Sequence, residues 1–334
     1  MKNLFYFLLI AFFLPNFGCV KKGRIIISDE KEFNGKVKTV REKTYEALLK
    51  DDKIVRGKPI GSFYDNFFSE YDTAGNKIKH NLYNANDSLS YRYEFIYNNR
   101  NQLVEKNVYD SKGTLSYKYL YRYNIYGNEI EQDILYPSGL LISKYKIKYK
   151  KNKESERIYF NATGAITNIY TYEYDEAGNL IASSVYDGES KLVSRYGYAY
   201  DANKNRIEEC MYYGNGSLAH RYTYRYDNNG RLKEENQYGE DEQLVNRTTY
   251  SYNNDGSIKE VAHYKADNSL ASIYIYKYDA NGRLLEKQKI GENLNYKASF
   301  IYIDQDIHNN WVKRIEFLDN NPVCITVREI VYYN

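Results

Sequence analysis

Tyrosine recurs along this chain at a fixed interval, and that recurrence limits the fold more than any other feature. A first series runs Tyr71, Tyr97, Tyr123, Tyr149, Tyr174, Tyr200, Tyr226, Tyr252, Tyr278 and Tyr302, with steps of 26 residues apart from one of 25 and a last one of 24. A second runs Tyr83, Tyr109, Leu135, Phe160, Tyr186, Tyr212, Tyr238, Tyr264 and Ile290, again at 26 except for one step of 25. Two series locked in phase over this length define an internal repeat, and a period in this range marks an array of stacked supersecondary units. The shared short step places a one-residue deletion between Tyr149 and Phe160.

Each unit contains two turn signals. The first is seen in Tyr174-Asp175-Glu176-Ala177-Gly178-Asn179-Leu180 and in Tyr278-Asp279-Ala280-Asn281-Gly282-Arg283-Leu284. Aspartate at the start of such a turn accepts hydrogen bonds from the backbone two residues on, and glycine supplies the left-handed conformation that lets a type I turn close a hairpin. The second places Gly113, Gly139, Gly164 or Gly216 four residues after the second tyrosine series. Between turns lie stretches of strict alternation, as in Tyr222-Thr223-Tyr224-Arg225-Tyr226. A period of two in aromatic and β-branched residues specifies strand. The unit therefore reads as strand, turn, strand, turn, with two different turns.

Strands joined by turns this short are antiparallel neighbours. About nine units plus end pieces give an all-β, continuous antiparallel meander of roughly 18 to 22 strands, too many to stay flat, so a coiled or strongly twisted sheet is expected. The alternation puts the tyrosines of the longer strand on one face, in register from unit to unit. Tyr172, Tyr198, Tyr224, Tyr250 and Tyr276 are the candidate ligand-contact row on that face. A tyrosine ring buries a large apolar body while its hydroxyl stays wet or bonded, so the same row also reads as the core of a thin sheet.

The Tyr-Asp-x-x-Gly-Asn/Arg-Leu unit, over roughly residues 65 to 318, resembles the YD repeat of RHS-type proteins. With the leader described below, the chain is similar to small repeat lipoproteins of Bacteroidetes-like bacteria. In the large RHS proteins the resemblance implies strands spiralling into a shell around a C-terminal toxin. No Asp-Pro dipeptide of the processing motif that closes those shells is present and no toxin-sized extension follows the repeats, so a cargo role is not expected.

The ends depart from the repeat. Lys36 to Ala47 reads as a first strand, and Trp311 to Phe317 with Val323 to Tyr333 as a last hairpin around Asp319 to Pro322. Both are expected to cap the array and shield its open edges. Before them, Lys2, the apolar run Leu4 to Leu14, and Gly18-Cys19 resemble a bacterial lipoprotein signal; eleven apolar residues are too short for a bilayer-spanning helix. The expected organisation is a signal peptide over 1–18, a polar tether over 19–34 lipidated at Cys19, and a single repeat array over 35–334.

Charge and chemistry exclude several functions. Basic and acidic residues number 47 and 44, for a net charge of +3, and they are interspersed, so no nucleic-acid partner is expected. His80, His220, His263 and His308 lie in different repeats, and Cys210 and Cys324 more than 100 residues apart; neither set has catalytic or metal-ligand spacing. The reading is a non-enzymatic protein without cofactor or metal. It is held to the membrane of the bacterial cell envelope by its lipid and acts as a structural or protein-binding scaffold using an edge or face of its sheet. The second reading is a glycan-binding protein that stacks polysaccharide on exposed tyrosines.

Overall fold

A computed structural model describes residues 33–60, 66–292 and 294–334. Cys19, the signal segment and most of the tether lie outside the described residues. The strands are β1 (Val37–Lys50), β2 (Lys53–Ile60), β3 (Phe67–Tyr71), β4 (Lys77–Tyr83), β5 (Leu89–Tyr97), β6 (Leu103–Tyr109), β7 (Leu115–Tyr123) and β8 (Glu129–Leu135). They continue as β9 (Leu141–Lys150), β10 (Lys153–Asn161), β11 (Ile166–Tyr174), β12 (Leu180–Asp187), β13 (Leu192–Tyr200), β14 (Arg206–Tyr213), β15 (Leu218–Tyr226) and β16 (Leu232–Tyr238). The last are β17 (Leu244–Tyr252), β18 (Ile258–Lys265), β19 (Leu270–Tyr278), β20 (Leu284–Gly291), β21 (Tyr296–Gln305), β22 (Trp311–Leu318) and β23 (Asn321–Tyr332).

From β3 to β23 each strand pairs antiparallel with the next, as the repeat requires. The ends, however, do not shield two open edges. β1 pairs along one side with β23, from Val37↔Tyr332 to Glu46↔Cys324. Along its other side its first half pairs with β3, from Thr39↔Glu70 to Glu42↔Phe67, and its second half with β2. The sheet is thereby closed: β2 pairs with β1 alone, and the remaining 22 of the 23 strands form a continuous barrel. At about 4.8 Å per strand a ring this large is roughly 35–40 Å across its backbone, wide enough to leave an aqueous interior. Closure removes the edges of the ring itself, which capping would only have blunted, and among the described residues leaves the outer side of the short β2 as an open edge.

The two turn signals resolve into one geometry. In the first, Gly178 N donates to Asp175 O at 3.0 Å and Asp175 N to Asn179 O at 3.0 Å; in the second, Gly164 N donates to Asn161 O and Asn161 N to Ala165 O, each at 3.0 Å. Both are three-residue loops whose last residue has positive φ, +88° at Gly178 and +80° at Gly164. The leading aspartate earns its place through its carboxylate: Asp72 Oδ1 accepts from Ala74 N at 2.9 Å and Asn76 N at 2.8 Å. The deletion sits at Lys151-Asn152, where both residues have positive φ (51° and 60°) and Lys150 pairs with Lys153. A two-residue loop there replaces the three-residue one. The same two-residue form closes the hairpins at Asp51-Asp52 and Asp319-Asn320, where the chain also leaves the repeat.

The first tyrosine series has a structural reason. Hydroxyls of the series reach back to a backbone carbonyl at the start of the preceding short strand: Tyr97 to Lys77 O, Tyr123 to Leu103 O, Tyr200 to Leu180 O, Tyr226 to Arg206 O and Tyr252 to Leu232 O, at 2.7–3.0 Å. Each bond ties one hairpin to the next. Tyr333 makes the equivalent bond across the closure, to Tyr71 O at 2.6 Å.

Packing is uneven around the ring. Of the seven largest fully buried side chains, Val40, Thr44, Ser69, Cys324, Ile325 and Thr326 lie on β1, β3 and β23 at the seam; only Val108 lies in the repeat wall. Arg328 Nε bonds Glu42 Oε2 at 2.7 Å, and the Arg328 guanidinium lies 3.5 Å from the Trp311 ring centre.

Candidate functional site: the inner tyrosine wall

Residues directly opposite one another in a ladder share a face, so the register sorts the side chains. One face carries Arg122, Lys148, Arg225 and Lys277 with Glu131, Glu156, Glu234 and Glu286. These form ion pairs such as Lys148–Glu156 at 2.6 Å and Lys277–Glu286 at 3.0 Å, while side-chain exposure reaches 76% at Arg225. Tyrosines of the second series lie on this face too, under arginines: Arg92 is 4.0 Å from the Tyr109 ring centre and Arg221 4.3 Å from that of Tyr238. Charged side chains spread into solvent in this way mark the convex, outer face.

The other face holds Tyr172, Tyr198, Tyr224, Tyr250 and Tyr276, one from each of β11, β13, β15, β17 and β19. All five are half-buried. Burial pushes the phenols of Tyr172, Tyr198, Tyr224 and Tyr276 above their ordinary value and that of Tyr250 up to about 12. Adjacent rings along a strand stack, with centroids 6.5 Å apart for Tyr222–Tyr224 and 6.4 Å for Tyr119–Tyr121. Every aromatic pair among the described residues lies within one strand or between neighbouring segments of the wall, so these rings line the concave face without packing across it.

The structure thus gathers the five sequence-selected tyrosines into one row, and it adds residues that the sequence reading missed. The cross-strand partners of that row are Ser183, Glu209, Glu235, Val261 and Lys287. The tyrosine is constant while its partner changes chemistry from repeat to repeat. Each partner lies 11 residues after its tyrosine, a column that aligned repeats would have exposed. Arg206 Nη1 pairs with Glu209 Oε2 at 2.7 Å, and its guanidinium lies 5.0 Å from the Tyr224 ring centre. Burial pushes the Glu235 carboxyl up and the Lys287 ammonium down.

The histidines stay apart, three of them within this wall. Ser69 Oγ and His80 Nδ1 are 2.8 Å apart, and burial, aided by the charge of Lys77, pushes His80 down to about 4. Thr248 Oγ1 and His263 Nδ1 are 3.1 Å apart, while His220 lies against Tyr222. Cys210 and Cys324 are both buried, on β14 and β23. Among the described residues no group of three His, Cys, Asp or Glu side chains could hold a metal ion.

The site is therefore the inner wall of a closed antiparallel β-barrel. No family model and no curated protein matches the chain. Among solved structures it is similar to TcdB2-TccC3 without its hypervariable C-terminal region, at 11% identity and a TM-score of 0.41 over 86% of this chain and 18% of that one. It is also similar to the Photorhabdus luminescens Tc holotoxin pore, at 13% identity and a TM-score of 0.37 over 78% of this chain and 19% of that one. A porin-like protein from Bacteroides uniformis matches at 10% identity and a TM-score of 0.31, over 88% of this chain and 98% of that one. The chain spans about a fifth of the length of the Tc toxin chains it matches.

Proposed function

We propose that the protein is a non-enzymatic scaffold of the bacterial cell envelope, lipid-anchored through Cys19, that binds its partner with the inner wall of the barrel. Ring closure carries this reading. Pairing of β1 with both β23 and β3 leaves no free edge in the ring for a partner strand, and among the described residues confines edge addition to the unpaired side of β2. The outer face is largely satisfied by its own ion pairs. The tyrosine wall is the large surface whose aromatic area is still open to a ligand.

A lipid anchor also suits the surface chemistry. A lipid-facing barrel needs an outward apolar band about 25 Å tall, whereas the outer face here carries Arg, Lys and Glu from strand after strand and the inner one Lys106, Glu209, Glu235 and Lys287. A barrel of this composition sits in water and needs a separate attachment. Expressed in a bacterium with its leader, the protein is expected in the membrane fraction, and Cys19→Ser is expected to release it; a variant that stays membrane-bound would contradict the anchor.

A polysaccharide is the second reading, favoured by one observation: half-buried tyrosines alternate with Glu209, Glu235 and Lys287 along the wall. Aromatic faces stack on sugar rings while charged and polar partners fix their hydroxyls. Protein beginning at residue 20 is to be screened on a polysaccharide array beside Tyr224→Ala/Tyr250→Ala. Binding lost in the variant supports the reading, and binding indifferent to it would overturn the inner-wall site.

A further inference from the structure

The inner wall is not uniform, and its most basic stretch has no acidic counterpart. Lys287, on β20, is 9% exposed yet forms no hydrogen bond or ion pair among the described residues. Its ammonium lies 5.3 Å from the Tyr274 ring centre and 5.6 Å from that of Tyr276. Lys289, two residues on and therefore on the same face, lies 5.7 Å from the same Tyr274 ring centre. His263 meets the same ring edge-on, with centroids 5.7 Å apart.

The inward positions around these lysines are Ser272, Tyr274 and Tyr276 on β19, and Tyr296, Ala298 and Phe300 on β21, by register with β20 and β22. None is acidic. The nearest inward carboxylate toward the seam, Glu316, is taken by Arg314 at 2.8 Å; Glu286, beside Lys287 in sequence, points outward to Lys277 and Lys297. Two ammonium groups held on tyrosine rings without a counter-charge are costly to keep, since a buried cation is ordinarily paired. The rings compensate only in part.

The geometry points to an anion subsite on this stretch, in which Lys287 and Lys289 pair with the carboxylate or sulfate of an acidic sugar whose ring lies against Tyr274 or Tyr276. This rests on the polysaccharide reading of the inner wall and names the class of sugar it takes. An acidic peptide would satisfy the lysines but would leave the ring faces of Tyr274 and Tyr276 without the flat apolar surface that a sugar ring offers. The two lysines also set a polarity, because the opposite chemistry, Glu209 and Glu235, occupies the wall six and four strands earlier at the equivalent position.

The test compares three probes on the chain beginning at residue 20: oligogalacturonate, a neutral cello-oligosaccharide of equal length, and poly-L-glutamate, each by calorimetry at low and high salt. The expected result is tightest binding of oligogalacturonate, weakened by salt, and a loss of at least about tenfold in Lys287→Met/Lys289→Met, the scale of a charge-assisted bond. Lys289→Gln is expected to lose less. Unchanged thermal melting of the double variant separates lost contact from lost fold. Equal binding of the acidic and neutral sugars, unaffected by the double variant, would overturn the subsite while leaving the tyrosine wall as a sugar site. Binding of neither sugar would overturn both, and tighter binding of poly-L-glutamate would replace the sugar with an acidic peptide.

Discussion

The seam and the repeat wall belong to one antiparallel sheet but are stabilised differently. In the wall, hairpin follows hairpin, side chains are mostly half-buried, and tyrosine hydroxyls such as those of Tyr97, Tyr200 and Tyr226 clasp the unit before them. At the seam the same clasp recurs as Tyr333 to Tyr71 O, joining residues from opposite ends of the chain. It is reinforced there by side chains at or near zero exposure and by the Arg328–Glu42 pair over Trp311. The contrast follows from chain entropy. A hairpin closes a loop of three residues, whereas β1 and β23 must be brought together across the whole array. Local turns suffice for the wall; the seam needs a core.

If that account is right, truncations cost most at the seam. Arg328→Ala leaves Glu42, 6% exposed, buried without its partner and is expected to destabilise by about 3–5 kcal/mol. Ile325→Ala, at 0% exposure, is expected to cost about 2–5 kcal/mol. Both are read from denaturant unfolding, and a cost no larger than that of Tyr224→Ala in the wall would erase the distinction.

A pH titration sharpens it further. His80 sits beside Ser69 on β3, in the first ladder after the closure, with its folded pKa at about 4. An unfolded histidine titrates near 6.5, so between those values only the unfolded chain takes up the proton. The corresponding stability is present above pH 6.5 and is lost as pH falls toward 4, by an amount on the order of 2 kcal/mol. His80→Asn is expected to remove that slope, and an unchanged pH profile would refute the assignment. Below it, the turn aspartates come into play. Hydrogen bonds from the Asn179 side chain and backbone hold the Asp175 carboxyl below its ordinary value, and Asp201 is held down in the same way by Asn205. Their contribution is present above the ordinary carboxylate range and fades as pH falls through it.

Within the wall, effects should be smaller and alike from unit to unit. Tyr226→Phe removes one clasp of 2.8 Å and is expected to cost about 0.5–1.5 kcal/mol. Gly113→Ala, at φ +79° with open space around it, adds only backbone strain of about 1 kcal/mol. A much larger loss from either, measured by thermal melting, would mean the wall is not the sum of local units.

Much of the wall was legible in advance. The tyrosine series, the two-strand unit, the shared face of Tyr172 to Tyr276 and the deletion between Tyr149 and Phe160 all follow from local chemistry, in which turn residues and alternation act over a few positions. The seam was not. β1 finds β23 and β3 through nonlocal pairing that leaves no periodic trace, since Val40, Thr44 and Ile325 belong to segments outside the repeat. β2 escaped for the same reason, and the two turn signals, read as different, share one geometry because Asn161 can act as aspartate does. The changing partners of the tyrosine row stayed hidden as well, because Glu235 and Lys287 look like ordinary polar strand residues until the register sets them beside Tyr224 and Tyr276.

Closure is the claim on which the rest depends, and native-state hydrogen exchange tests it most directly. In a closed ring the amides of β1, β3 and β23 are bonded on both sides and should be protected as strongly as those of β15 in the middle of the wall. If alternate amides of β3 and β23 exchange at the rate of exposed edges instead, the sheet is an open meander and the barrel is wrong.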